Sequence, residues 1–174
     1  ADTFARLGTR LAAARTEEQV SVVVREESER LLGWDGHYIA FRRVEHDIFH
    51  VCSFVDTVGG EKKLFPGREW PVKDIDESVH ALLLSQPVLI NRQPGDSSPR
   101  IGGFGDTSHL SASLMFAPVR AGDVVIGILS AQSYTHDRYS QSDLAILQRM
   151  ADVIAPALER VHAEDRLKEA NEEL

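Results

Sequence analysis

Apolar residues recur along this chain with two periods, and the places where the period changes mark the elements. Phe4, Leu7 and Leu11 fall on one helical face. Thr16 followed three residues later by Gln19 is a capping-box pattern. The Val20, Val23, Val24, Leu31 and Leu32 that follow predict a second helix ending at Gly33. From Tyr38 to Val44 the residues are aromatic and β-branched and predict a strand. A polar turn at Glu45, His46 and Asp47 joins it to a second strand over Ile48–Val55. Gly59-Gly60 marks another turn, and a shorter strand is expected between Lys62 and Val72, interrupted by Pro66 and Gly67. Asp74 and Glu77 cap a predicted helix whose apolar face is Ile75, Val79, Leu82 and Leu83, with Pro87 ending it. Val88–Ile90 reads as a short buried strand. Asn91 to about Ser111 reads as a long loop dense in Gly, Pro, Ser and Asp, a length that in a compact domain marks function or disorder. Two apolar runs, Ser113–Arg120 and Val124–Tyr134, flank an Ala121-Gly122-Asp123 turn and predict a hairpin buried on at least one face. A capped helix opens at Ser140 and keeps its helical pattern to Leu174.

Hairpins dominate this order, so the expected fold is α/β of the α+β kind, built on an antiparallel sheet of about six strands. The terminal helices are expected on one face. The Asp74–Leu84 helix and the long loop are expected on the other, with a pocket beneath them. At 174 residues the chain reads as one domain over residues 1–160, with residues 161–174 beginning a coiled-coil linker. A start without Met and a last helix without a stop signal are the pattern of one module within a longer protein.

The stretch from Ser113 onward resembles a GAF domain, the small-molecule-sensing module of bacterial sensor proteins. The matching residues are Ser113-Leu114 and Pro118-Val119 before the Gly-Asp turn, Val125–Leu129 after it, and Tyr139-Ser-Gln-Ser-Asp143-Leu144 opening the last helix. The likeness reaches back to Thr16-Glu17-Glu18 and Leu31-Leu32-Gly33 and so covers nearly the whole chain. It implies a regulatory, ligand-sensing and dimerising module of a signal-transduction protein. The implied effector is a sensor histidine kinase, with a diguanylate cyclase, a transcriptional regulator or a ligand-free structural dimer as alternatives. It names no cofactor.

Composition narrows the picture. A net charge of −8 argues against non-specific nucleic-acid binding, which needs clustered Lys and Arg against phosphate. No apolar run approaches the roughly 20 residues of a membrane span. The single cysteine, Cys52, excludes an internal disulfide, a redox pair and a multi-cysteine zinc site, and points to a reducing cytoplasm.

No nucleophile, base and acid stand together in the pattern, so no catalytic residue and no metal site are assigned. Ile101-Gly-Gly-Phe-Gly-Asp106 is Gly-rich but lacks the Lys-Ser/Thr of a phosphate loop and reads as a lid. His46 and His50 have helical ligand spacing but sit on a turn and a strand, where that geometry does not apply. His80 and His109 are the histidines a haem would need, and nothing selects either. Asn91-Arg92 and Phe104 echo the start of the motif of cyclic-nucleotide-binding relatives, but the Asp-Glu pair expected after the Phe is missing. Sulfoxide-reducing relatives need several cysteines. Pocket candidates by position are Phe41, Cys52, Trp70, Phe104, His109, Met115 and Tyr134.

The final helix carries Leu144, Leu147, Ala151, Ile154, Leu158 and Val161 at alternating three and four spacings, the pattern of a coiled-coil seam. Pro156 is expected to bend it. Asn171 at a seam position favours a dimer, and the broken spacing from Val161 to Leu167 permits two packings. A homodimer through the terminal helices follows as the expectation.

Overall fold

The computed structural model describes residues 3–43, 45, 47–71, 86–95 and 110–174. Helix α1 spans Ala5–Ala12 and α2 spans Glu17–Leu31. Strands β1 (Gly36–Arg43), β2 (Ile48–Val58) and β3 (Glu61–Pro71) follow. Then come β4 (Val88–Asn91), β5 (Ser113–Ala121), β6 (Val124–Ser133) and the long helix α3 (Gln141–Glu172). The six strands form one sheet, β3-β2-β1-β6-β5-β4, antiparallel throughout.

Local chemistry sets the ends of these elements. The Thr16 hydroxyl accepts from the Gln19 amide at 3.1 Å, and the Gln19 side chain accepts from the Arg15 amide at 2.7 Å. Gly33 closes α2 at φ +70°, where its amide donates to the Ser28 and Glu29 carbonyls. Gly59 and Gly60, both at positive φ, make the tight β2–β3 turn. Ser140 and Asp143 form the reciprocal capping box at the start of α3.

Strand β3 runs unbroken through Pro66 and Gly67, where an interruption was expected. It is an edge strand, so a proline there need not cost a ladder hydrogen bond. Gly67 is required for another reason. A Cβ at that position would meet the Val51 carbonyl oxygen at 2.1 Å, so the strands approach too closely for any side chain.

The helices pack on one face of the sheet, with α3 lying along β5. Leu7 and Leu11 of α1, Val20 and Val24 of α2, and Leu147, Met150, Ile154 and Leu158 of α3 are all buried there against Ile39, Phe41, Met115, Val119 and Leu129. The apolar seam of α3 is thus spent inside the domain. Leu144, Leu147, Ala151, Ile154, Leu158 and Val161 are each buried in the single chain. Burial on α3 reaches His162, two residues past the expected domain boundary. Beyond it only Asp165 is even half-buried, and Leu167 is 64% exposed. The predicted Asp74–Leu84 helix and most of the Asn91–Ser111 loop lie outside the described residues.

Candidate functional site

The opposite face of the sheet carries a second, smaller apolar cluster. Ala40, Phe49, Val51, Phe54, Leu114, Phe116, Val125 and Ile128 form it, with Tyr38, Phe65, Trp70, Val88 and Ile90 packed against them. Strand alternation explains the division: residues two apart share a face. β1 and β2 depart from this regularity. Their register shifts between His37 and Phe41. On β2 the apolar cluster takes Val51 and then Phe54 while Val55 joins the helix side, so the chain steps from one face to the other around Cys52-Ser53.

A row of polar groups crosses this second face. The Ser111 hydroxyl donates to Gln132 Oε1 at 3.0 Å, and Gln132 Nε2 donates to the Ser130 hydroxyl at 3.1 Å. Tyr38 lies opposite Ser130 in the β1–β6 register, and their side-chain hydroxyls interact. Burial raises the Tyr38 phenol above its ordinary range, against that contact, and keeps it neutral. Ser130 and Gln132 are both buried. The Trp70 ring stands 6.1 Å from that of Tyr38, and the Arg68 guanidinium lies 4.7 Å from the Trp70 ring centre. Hydroxyl, amide and aromatic groups set within an apolar sheet face can orient a small molecule by a few directed hydrogen bonds and stacking.

The candidates from sequence do not converge on this face. Trp70 lies on it. Phe41 and Met115 are buried in the helix-side core, and Cys52 packs against that core. Tyr134, just past β6, donates its hydroxyl to the buried Asp56 carboxylate at 2.7 Å, and its amide donates to Asp35 Oδ2 at 2.8 Å. These bonds tie together the ends of β2 and β6. Phe104 and His109 lie outside the described residues, as do His46, His80 and the Ile101–Asp106 stretch. Sequence reasoning missed Tyr38, Ser130 and Gln132. A signal was present: Ser130 and Gln132 alternate within the otherwise apolar β6 run.

Polar groups on the helix side serve other ends. Asn91 accepts from the Ser113 hydroxyl at 2.6 Å and donates to the Tyr139 carbonyl at 3.2 Å, while Ser113 Oγ accepts from the Tyr139 amide at 3.1 Å. Asn91 therefore ties β4 to the start of α3. The Glu27 carboxylate, 1% exposed, takes Arg6, Arg10 and Arg30 at 2.7–3.1 Å, locking α1 to α2. Burial pushes its pKa up, but hydrogen bonds from Arg30 and Arg10 outweigh that and hold it below the ordinary value. His37 is buried with Nδ1 donating to the Ser130 carbonyl at 2.9 Å and its ring stacked on Trp34. Desolvation lowers its pKa to about 3, against the Ser130 hydrogen bond and with help from Arg25. Among the described residues no group of three or more His, Cys, Asp or Glu is arranged to hold a metal ion. No helix among them is long and apolar enough to cross a membrane.

No curated protein sequence matches the chain. Solved structures share its fold at low identity. A phycoerythrobilin-bound GAF domain from a cyanobacterial phytochrome aligns with TM-score 0.68 at 19% identity, covering 94% of this chain and 96% of that one. The GAF domain of an Acinetobacter phosphoenolpyruvate-protein phosphotransferase aligns with TM-score 0.67 at 12% identity, covering 93% of each chain. Free methionine-R-sulfoxide reductase from Neisseria meningitidis aligns with TM-score 0.65 at 13% identity, covering 91% of this chain and 87% of that one. The family model of the GAF domain matches residues 14–159, which span α2 through most of α3, and the chain belongs to the GAF domain family.

Proposed function

We propose that this GAF domain is a non-catalytic regulatory module that binds a small molecule on the sheet face away from the helices and relays its occupancy through α3. The observation that carries this is the polar row of partly buried Tyr38 with buried Ser130 and Gln132 set in an apolar face, with Trp70 beside it. These groups bond one another, and a row of directed donors and acceptors in apolar surroundings is also what orients a small bound molecule. The ligand class is a planar, largely apolar molecule with a few hydrogen-bonding groups, which suits stacking on Trp70 and bonding to an amide and hydroxyls. The phytochrome GAF domain of similar fold carries a bilin. Cys52 packs on the helix side, so attachment of a chromophore through it is not part of this reading. The same placement, with one cysteine in the chain, argues against sulfoxide reduction at this face.

The parent protein in this reading is a cytoplasmic bacterial sensor histidine kinase, with a diguanylate cyclase or transcriptional regulator as the other effectors compatible with the family. Dimerisation uses the exposed end of α3 past His162, the part of that helix the domain core leaves uncovered. Ligand must bind two states of the domain unequally to shift anything.

Native mass spectrometry of the purified domain tests the site. The expected result is a non-covalent adduct that is lost in Trp70→Ala and in Gln132→Leu. Wild-type protein only at its bare mass, or an adduct kept in full by both variants, overturns the proposal.

A further inference from the structure

The ligand face joins an apolar cluster to a neutral polar row, and two cations stand on its β3 side. Arg68 and Trp70 are two apart on β3, so they share that face. In the ladder Val51 lies opposite Arg68 and Phe49 opposite Trp70, and both partners belong to the apolar cluster there. The Arg68 guanidinium carbon is 4.7 Å from the centre of the Trp70 ring. On β1, Arg42 shares the face of Tyr38 and Ala40 by alternation. It lies opposite Phe49, with its guanidinium carbon 5.9 Å from the Phe49 ring centre. Arg42, Phe49 and Trp70 therefore stand in line across β1, β2 and β3, with a cation against each aromatic ring.

Few anions answer these cations. Asp47 in the β1–β2 turn takes one Arg42 nitrogen at 3.0 Å, but its side chain is 71% exposed, where an ion pair is weak. Arg42 Nε is buried and has no hydrogen-bond partner. Glu69, between Arg68 and Trp70, takes the other face by alternation and lies opposite His50 in the ladder. Among the described residues no carboxylate lies within ion-pair distance of Arg68. Stacked on the indole, its guanidinium keeps its edge N–H groups for a further partner, and that fork matches a carboxylate. Holding the side chain against a ring in advance also lowers the ordering cost of binding. A charge on an edge strand can guard against pairing with another chain, but that role needs no ring beneath it and asks nothing of Arg42.

We propose, on the reading that this face binds a ligand, that Arg68 and Arg42 form an anion-selecting end of the site and that the ligand is a planar aromatic acid. Its ring packs on the apolar cluster, its carboxylate accepts from the Arg68 guanidinium, and Arg42 adds positive charge beside Phe49. Apolar surroundings strengthen that pairing relative to open water. The Ser130–Gln132 end, past Tyr38, takes neutral hydrogen-bonding groups at the far end of the same molecule. A neutral amide of the same shape lacks the charge and binds less tightly, so the two guanidiniums set specificity.

Parallel titrations with 2-naphthoate and its neutral isostere 2-naphthamide, followed by backbone amide chemical shifts at Trp70, Ser130 and Gln132, read the selectivity. The acid is expected to bind about tenfold more tightly than the amide, the size of one charge-assisted pair. Arg68→Gln should cut that preference to about twofold or less, and Arg42→Gln should reduce it by a smaller factor. Arg68 is exposed, so its replacement leaves the fold intact, which thermal unfolding of the variant verifies. Equal binding of acid and amide to the wild-type domain, or the full preference kept in Arg68→Gln, overturns the anion end while leaving the ligand face standing. Failure of both probes to shift any of these amides overturns the reading of the face as well.

Discussion

At the residue scale, burial decides what each titratable group does. His37 is the clearest case. Its imidazole is enclosed and stays neutral, because its pKa falls to about 3 while an unfolded histidine titrates near 6.5. Between those values the unfolded chain binds the extra proton, so stability rises with pH there and falls as pH drops from 6.5 toward 3. Urea unfolding at a series of pH values should show that slope, and His37→Gln should remove its histidine part. Glu27 acts in the same direction at lower pH. Its depressed pKa means its contribution is present above the ordinary carboxylate range and lost on acidification. Glu27→Ala leaves Arg6, Arg10 and Arg30 without their shared partner at the α1–α2 contact and is expected to cost about 2 kcal/mol of stability by urea unfolding. The loss is held to that size because Arg6 and Arg30 are exposed enough to regain water.

At the element scale, two features carry definite costs. Gly67 lets β3 lie against β2 where a Cβ would press on the Val51 and Cys52 carbonyls. Backbone must move to admit a methyl group, so Gly67→Ala is expected to lower stability by about 2 kcal/mol or more, visible as a drop in Tm. Ser140 is different: it bonds Asp143 at the exposed start of α3, so Ser140→Ala should cost only about 1 kcal/mol. Legibility in sequence followed the same division. Caps and turns were readable because their chemistry is local: Thr16, Gly33, Gly59-Gly60 and the Ser140–Asp143 box all stand where expected. The length of β3 was not, because the tolerance of Pro66 depends on the strand being an edge, which only the sheet order decides.

At the scale of the whole molecule, the question is where α3 changes from core to outward rod. Its apolar repeat breaks in spacing between Val161 and Leu167, and the domain core absorbs the part from Leu144 to Val161. Removing residues 163–174 is therefore expected to leave the unfolding midpoint nearly unchanged while weakening self-association, which sedimentation velocity can measure. A dimer of unchanged strength would place any interface elsewhere on the domain. Site residues were poorly legible for a related reason. Phe41 and Met115 look like pocket linings from position alone, yet they share the helix-side core with Leu147 and Met150. Strand parity says which residues of a strand share a face, as Ile39 and Phe41 or Met115 and Ala117 do, but not which face the helices cover.

The amino-acid pattern by itself determined the order of the described elements and the antiparallel hairpins, because periodicity and capping act over a few residues and leave local marks. Tertiary structure alone decided which face each strand residue takes and how far the core reaches along α3. It also decided that Tyr38 meets both Trp70 and Ser130, residues 32 and 92 positions further along the chain. Contacts of that span come from sheet order and helix packing, which no short stretch of sequence records.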